Sequence, residues 1–185
     1  MPTHASRAAL HPGGSDREIQ ALVQALLALA ARLQAVRNGF AARLGLPGAA
    51  YTTLIAIAHL EAEGEPPGLS ALGAYLRISP AFATMEVEQL QRLGLVRKER
   101  HGVDGRRVLL SLTPQGRARL AEQQPVQLQV NDDLFAGLTA QDVRRLSALL
   151  PRLVANADAA LALLRAGPQR APRRRPRPEP EATEA

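Results

Sequence analysis

Cations crowd the stretch from Gly94 to Gly116, GLVRKERHGVDGRRVLLSLTPQG, in which Arg97, Lys98, Arg100, Arg106 and Arg107 stand within eleven positions. Guanidinium and ammonium groups at that density attract phosphate oxygens and displace the counterions of a nucleic acid. No competing catalytic chemistry is in view. The chain has no cysteine, which excludes a thiol nucleophile, a thiolate metal site and a disulfide framework. Its four histidines, His4, His11, His59 and His101, lack metal-ligand spacing. A P-loop, a nucleophile elbow, a dinucleotide fingerprint and a metalloprotease helix are all missing. The expectation is a binding protein, not an enzyme, with no metal and no cofactor.

The cations need a scaffold, and alternation supplies one. Val96, Lys98 and Arg100 lead in, and Val108, Leu110 and Leu112 lead out, each at the period of a half-buried strand. Asp104-Gly105 offers the turn, because Gly accepts positive φ and Asp tolerates it. Thr113-Pro114 then starts a helix, with a capping hydroxyl before a Pro at the first helical position. At this point the hairpin fits two readings equally: a wing that touches nucleic acid, or a solvated hairpin whose charges blunt a sheet edge.

The preceding segment, LSALGAYLRISPAFATMEVEQLQRLG, bears on that choice. Ser70 is expected to cap a short helix that turns Leu72, Gly73, Ala74 and Leu76 inward, and Ser79-Pro80 to cap and start a second, with Ala83, Val87 and Leu90 on one side and Gly94 at the end. Two short helices across a tight turn read as a helix-turn-helix, with a generic helical hairpin as the alternative. Followed directly by a basic hairpin, they have the order of a winged helix. Ser79, Ala81, Thr84 and Met85 are then the candidate groove-facing residues. The second helix holds no cation before Arg92 and carries Glu86 and Glu88. Carboxylates repel phosphate, although a glutamate can accept from a cytosine amine. Phe82 and Met85 fit either thymine methyls or the core.

At 185 residues the chain suits one globular domain, or one with a long helical extension. With 46% hydrophobic but only 3% aromatic residues, the core must come from Leu, Ala, Val and Ile, a composition that favours helices. Residues 1–15 are expected to be disordered. Residues 16–47 hold one long helix, whose Ile19, Leu22, Leu26, Leu29, Leu33, Val36 and Phe40 form a heptad seam that calls for a partner helix. Residues 48–113 make the helix-turn-helix and wing. Residues 114–166 return to helix, bent near Pro125 and Pro151, with Thr139 and Asp142 resembling a capping box. Residues 167–185 are a disordered tail rich in Arg, Pro and Glu. The formal net charge of +6 is not confined to that tail, whose arginines are largely offset by its glutamates. The expected fold is therefore mainly α with a small β-hairpin wing: a winged helix-turn-helix flanked by N- and C-terminal dimerisation helices. With no uninterrupted apolar run of about 18 residues and no signal-like N-terminus, the expectation is a cytoplasmic protein without a membrane partner.

The order of helices, the LSALGAYLRIS segment, the GLVRKER strand and above all DGRR…LSLTPQG resemble the MarR family of bacterial transcription regulators, over about residues 16 to 166. The resemblance implies a homodimer that binds palindromic double-stranded DNA, usually as a repressor, and that a small-molecule effector can release. It implies a wing in which Arg106 enters a minor groove while Asp104 braces the wing; Arg97, Arg100 and Arg107 are DNA-binding candidates on the hairpin's own charge. It also implies an effector pocket near the junction of the first two helices, where Arg37, Phe40, Tyr51 and His59 lie; His59 alone reads equally as a partly buried structural histidine. The rival reading is a MarR-like protein-interaction module whose acidic recognition helix no longer reads DNA.

Overall fold

In the computed structural model, residues 6–11, 14–64, 66–100 and 108–167 are described. Asp16 stands at the head of the first long helix, but its carboxylate meets His11 Nδ1 at 2.7 Å and makes no cap bond to the helix. That helix, α1, spans Arg17–Arg43 and is followed by α2, Gly48–Glu63. Two short helices come next, α3 over Leu69–Leu76 and α4 over Pro80–Arg92, and then an antiparallel pair, β1 over Val96–Arg100 and β2 over Val108–Leu112. Helices α5, Pro114–Leu134, and α6, Ala140–Ala166, follow and are the last elements among the described residues. The mainly helical winged architecture expected from the sequence is what forms.

The chain divides into two compact units, Met1–Asp132 and Asp133–Ala185. In the first, the core is aliphatic. Leu54, Ile57, Leu72, Val87, Leu90 and Leu110 are fully buried at the meeting of α2, α3, α4 and β2. The last turns of α1 join it through Phe40, Ala41 and Leu44. The seam of α1 therefore changes character along its length: Leu22, Leu26 and Leu29 are exposed, Leu33 and Val36 half-buried, Phe40 buried. The core reaches only the C-terminal third of the helix.

Local chemistry explains the boundaries. Ser79 caps α4, its Oγ accepting from Phe82 N at 3.2 Å, with Pro80 at the first helical position. The expected cap of α3 differs: Gly68 takes that place without a side-chain bond, and Ser70 falls inside the helix. Ala74 is exposed, whereas Leu72 and Gly73 are buried as expected. Residues 67–68 are instead drawn to the hairpin, Leu110 N donating to Pro67 O at 2.8 Å while Gly68 bridges Leu109. This short addition covers one edge of the two-stranded sheet.

At the far side of the hairpin, Thr113 N donates to Leu95 O at 3.0 Å. Its hydroxyl donates to Gly94 O at 2.6 Å and accepts from Gly116 N at 3.0 Å. A Cβ on Gly116 would collide with the backbone oxygen of Leu95, so only glycine lets α5 start this close. Glu61 of α2 adds a clasp, taking Arg117 Nη2 at 2.6 Å. Further along α5, Arg119 Nη2 donates to Leu44 O at 2.9 Å, supplying both a partner and a positive charge to the C-terminus of α1.

The second unit holds α6, opened by the expected capping box: Asp142 N donates to Thr139 Oγ1 at 3.2 Å, and Thr139 N donates to Asp142 Oδ2 at 3.0 Å. The hydrogen bonds from Thr139 hold the Asp142 carboxyl below the usual carboxylate range. The helix runs through Pro151 and buries none of its residues.

Gly116→Ala is expected to lower the unfolding free energy by about 1–3 kcal/mol, the usual range for overpacking against a fixed neighbour. A denaturant titration followed by circular dichroism checks this; an unchanged midpoint would contradict the close approach at Leu95.

Candidate nucleic-acid interface

Helix α4 is amphipathic in an unusual way. Its inward side carries Ala83, Val87 and Leu90, all at 0% exposure, and also Glu86 at 4%. Glu86 Oε2 is buried without a hydrogen-bond partner. Loss of solvent pushes the carboxyl above its ordinary value. One of the two acidic groups that threatened DNA binding is therefore turned into the body of the unit, and Glu88 alone is exposed.

The outward side presents Ala81, Phe82 and Met85, followed by Glu88 and Arg92. Phe82 is 39% and Met85 50% exposed, so neither is a core residue. Ser79 is exposed and spends its oxygen on the cap. Thr84 is half-buried and donates to Pro80 O at 2.9 Å.

Sequence reasoning missed Arg77. It ends α3 in the left-handed region, φ 54° and ψ 42°, and is the one non-glycine residue with positive φ among the described residues. A left-handed L-residue costs roughly 1–2 kcal/mol, and glycine or asparagine is the ordinary occupant of such a C-cap. An exposed arginine sits there instead, in the turn just before the start of α4. The signal was a helix-turn-helix turn, LRISP, with no glycine in it.

The hairpin register pairs Val96 with Leu112, Lys98 with Leu110 and Arg100 with Val108. Val96, Leu110 and Leu112 face the core. Arg97 lies opposite Ser111, donating from Nε to Ser111 Oγ at 2.9 Å, and its Nε is 3.2 Å from Glu99. That neighbouring carboxylate offsets part of its charge. Arg100 is exposed at the end of β1. Asp104, Arg106 and Arg107, with the Asp104-Gly105 turn, lie outside the described residues.

Of the residues expected to line an effector pocket, two pack together and a third, Arg37, acts on one of them by its charge. Phe40 and Tyr51 are buried with ring centroids 6.2 Å apart at 49°. Burial raises the Tyr51 hydroxyl, while the charge of Arg37 and a 3.4 Å hydrogen bond from Gln123 Nε2 act in the opposite direction. His59 is exposed, about 12 Å further along α2 at 1.5 Å per residue. A separate open groove of about 310 Å³ runs along α5, lined by Leu120, Ala121, Gln124, Gln127, Leu128 and Asn131.

Residues 44–107 match the model of the MarR family. The fold is similar to that of a MarR-family transcriptional regulator from Silicibacter pomeroyi: 25% identity, TM-score 0.57, covering 82% of this chain and 95% of that one. It is similar as well to Bordetella bronchiseptica BpsR, described for regulation of its DNA binding by 6-hydroxynicotinic acid, at 24% identity and TM-score 0.56 over 71% of this chain and 91% of that one. A mutant MarR from E. coli complexed with operator DNA matches at 23% identity and TM-score 0.59, over 74% of this chain and 95% of that one. No curated protein matches the chain.

Burial without a partner makes the charged form of Glu86 unfavourable in the folded state. Its folded value is raised, so its contribution to stability is fully present below the ordinary glutamate range and is lost as pH climbs from there through the raised value. Glu86→Gln is expected to remove that decline and to stabilise the protein by about 1 kcal/mol at pH 7. Urea titrations at pH 4.5 and 7 test it; a variant less stable than wild type at pH 7 would mean that Glu86 has a stabilising partner.

Proposed function

Because residues 44–107 match the MarR family model and the fold is similar to that of MarR-family regulators, we propose that this chain is a MarR-family transcription regulator that acts as a homodimer and represses transcription from a palindromic DNA site. Two α4 helices enter successive major grooves, and the wings enter the flanking minor grooves. The observation that carries this reading is the arrangement of α4: its inward face is fixed by the core and its N-terminal half is open to a partner. The E. coli relative complexed with operator DNA supports the same use of the fold. Arg100, Arg106 and Arg107 supply the cationic attraction that α4 lacks, with Arg106 in the minor groove, where a narrow width concentrates negative potential. Asp104 braces the wing. The interaction-module alternative drew on carboxylates along the recognition helix, and the burial of Glu86 removes half of that support.

Dimerisation rests on uncovered apolar surface. Leu22, Val23, Leu26, Leu27 and Leu29 of α1 are exposed, and so are nine large aliphatic residues of α6, from Val143 to Leu164. Contiguous patches of that size mark an interface, and burying each leucine contributes about 1.5–3 kcal/mol. By length and composition both helices are also apolar enough to cross a membrane. Placing Arg32 of α1, or Arg152 and Asp158 of α6, in hydrocarbon costs about 2.5–3.5 kcal/mol for each charge, and a second copy covers the same faces without that penalty. A small-molecule effector fits the scheme at Arg37, beside Phe40 and Tyr51, with His59 further along α2; BpsR offers the precedent of a small aromatic acid.

Arg106→Ala is expected to weaken binding across many duplex sequences and to reduce the slope of log K against log salt by about one. Gel-shift titrations at several salt concentrations read this directly, and unchanged affinity would remove Arg106 from the interface. Sedimentation equilibrium at micromolar protein should give a dimer; a monomer would count against the role assigned to α1 and α6.

A further inference from the structure

The part of α4 that would first meet a major groove is apolar. Phe82 and Met85 stand three residues apart on its outward side, with Ala81 beside them. They are not surplus core residues, because the inward stripe of Ala83, Val87 and Leu90 is already complete and fully buried. The nearby hydroxyls are engaged within the helix, Ser79 at its cap and Thr84 with Pro80 O. The first cation on the helix is Arg92, at its last residue. What α4 offers at its N-terminal half is therefore shape and apolar surface.

Resting on the reading of α4 as a major-groove helix, we propose that Phe82 and Met85 determine sequence specificity by packing on the C5-methyl groups of thymine, so that each half-site carries neighbouring T·A pairs under the start of α4. The thymine methyl is the distinctive apolar feature of the major-groove edge, where the other groups are hydrogen-bond donors and acceptors. Setting Phe82 or Met85 against a cytosine amine or a guanine oxygen strips water from a polar group and returns no hydrogen bond. Spacing agrees with adjacency. Three helical residues advance about 4.5 Å, close to the roughly 3.4 Å rise between base pairs. Glu88, three residues beyond Met85 and exposed, adds an acceptor suited to a cytosine amine and unfavourable to the O4 of thymine.

The test uses the full-length protein and the duplex it selects most strongly from a random-sequence pool. Deoxyuridine replaces thymidine one position at a time, which removes the methyl and leaves the hydrogen-bonding edge unchanged. At one or two positions per half-site the substitution should weaken binding about fourfold, the equivalent of about 0.8 kcal/mol for one buried methyl-sized group. Phe82→Ala and Met85→Ala, both surface changes, should each bind the two duplexes alike at one of those positions. Equal binding of thymine and uracil duplexes by the wild type overturns the proposal and leaves DNA binding intact. A uracil penalty that persists in both variants assigns the effect to duplex shape and also overturns it. Selection of no duplex at all overturns both this proposal and the function on which it rests.

Discussion

The backbone of Leu95 is the joint on which the rest of the winged unit depends. Its N–H donates to Leu90 O at 2.9 Å and closes the end of α4, while its carbonyl takes Thr113 N at 3.0 Å and lies against Gly116. One residue thus ties α4, the root of the hairpin and the first turn of α5. Leu95 is itself 2% exposed, so these polar groups have no water to fall back on. A buried backbone pair of this kind has a single good geometry, and α4, β1, β2 and the start of α5 are held in register by it.

From that joint the constraint spreads along α5 to α1. Arg119 holds the carbonyl end of α1 and Gln123 reaches the Tyr51 hydroxyl, both within the first compact unit. The exposed half of α1 is therefore rigidly connected to α4 through the core around Phe40 and Leu44. Whatever covers Leu22, Leu26 and Leu29 would bear on where α4 stands. A ligand near Arg37 and Tyr51 would act on the same connection, at the place where α1 enters the core.

Periodicity and punctuation made most of the architecture legible. The Ser79-Pro80 cap, the Thr139–Asp142 box, the strand register and the seam of α1 are local patterns whose physical causes lie within a few residues. The misplaced cap of α3 failed for a non-local reason: residues 67–68 are recruited by β2, and that recruitment moves the helix start past what Ser70 alone implied. The same limit hid the orientation of Glu86. Charge type predicts exposure, and only the helical phase against Ala83, Val87 and Leu90 shows that position 86 falls on the inward arc. Arg77 was missed because a left-handed residue is ordinarily announced by glycine, and nothing local to Gly116 signals its role, which is set by Leu95, twenty-one positions earlier.

On the proposed function, these positions divide the labour of binding in a consistent way. With an inward Glu86 and an apolar outward tip, α4 has little Coulombic attraction of its own, so on the proposed reading affinity falls to cations elsewhere, among them the exposed Arg77 and Arg100. Such charges follow the phosphate backbone and carry little sequence information. Discrimination then falls to contacts that are weak individually and depend on shape. A methyl group met by Phe82 or Met85 contributes only when α4 sits at the right depth and angle. The buried joint at Leu95 supplies that rigidity, and without it apolar side chains on a mobile helix would favour many grooves nearly equally.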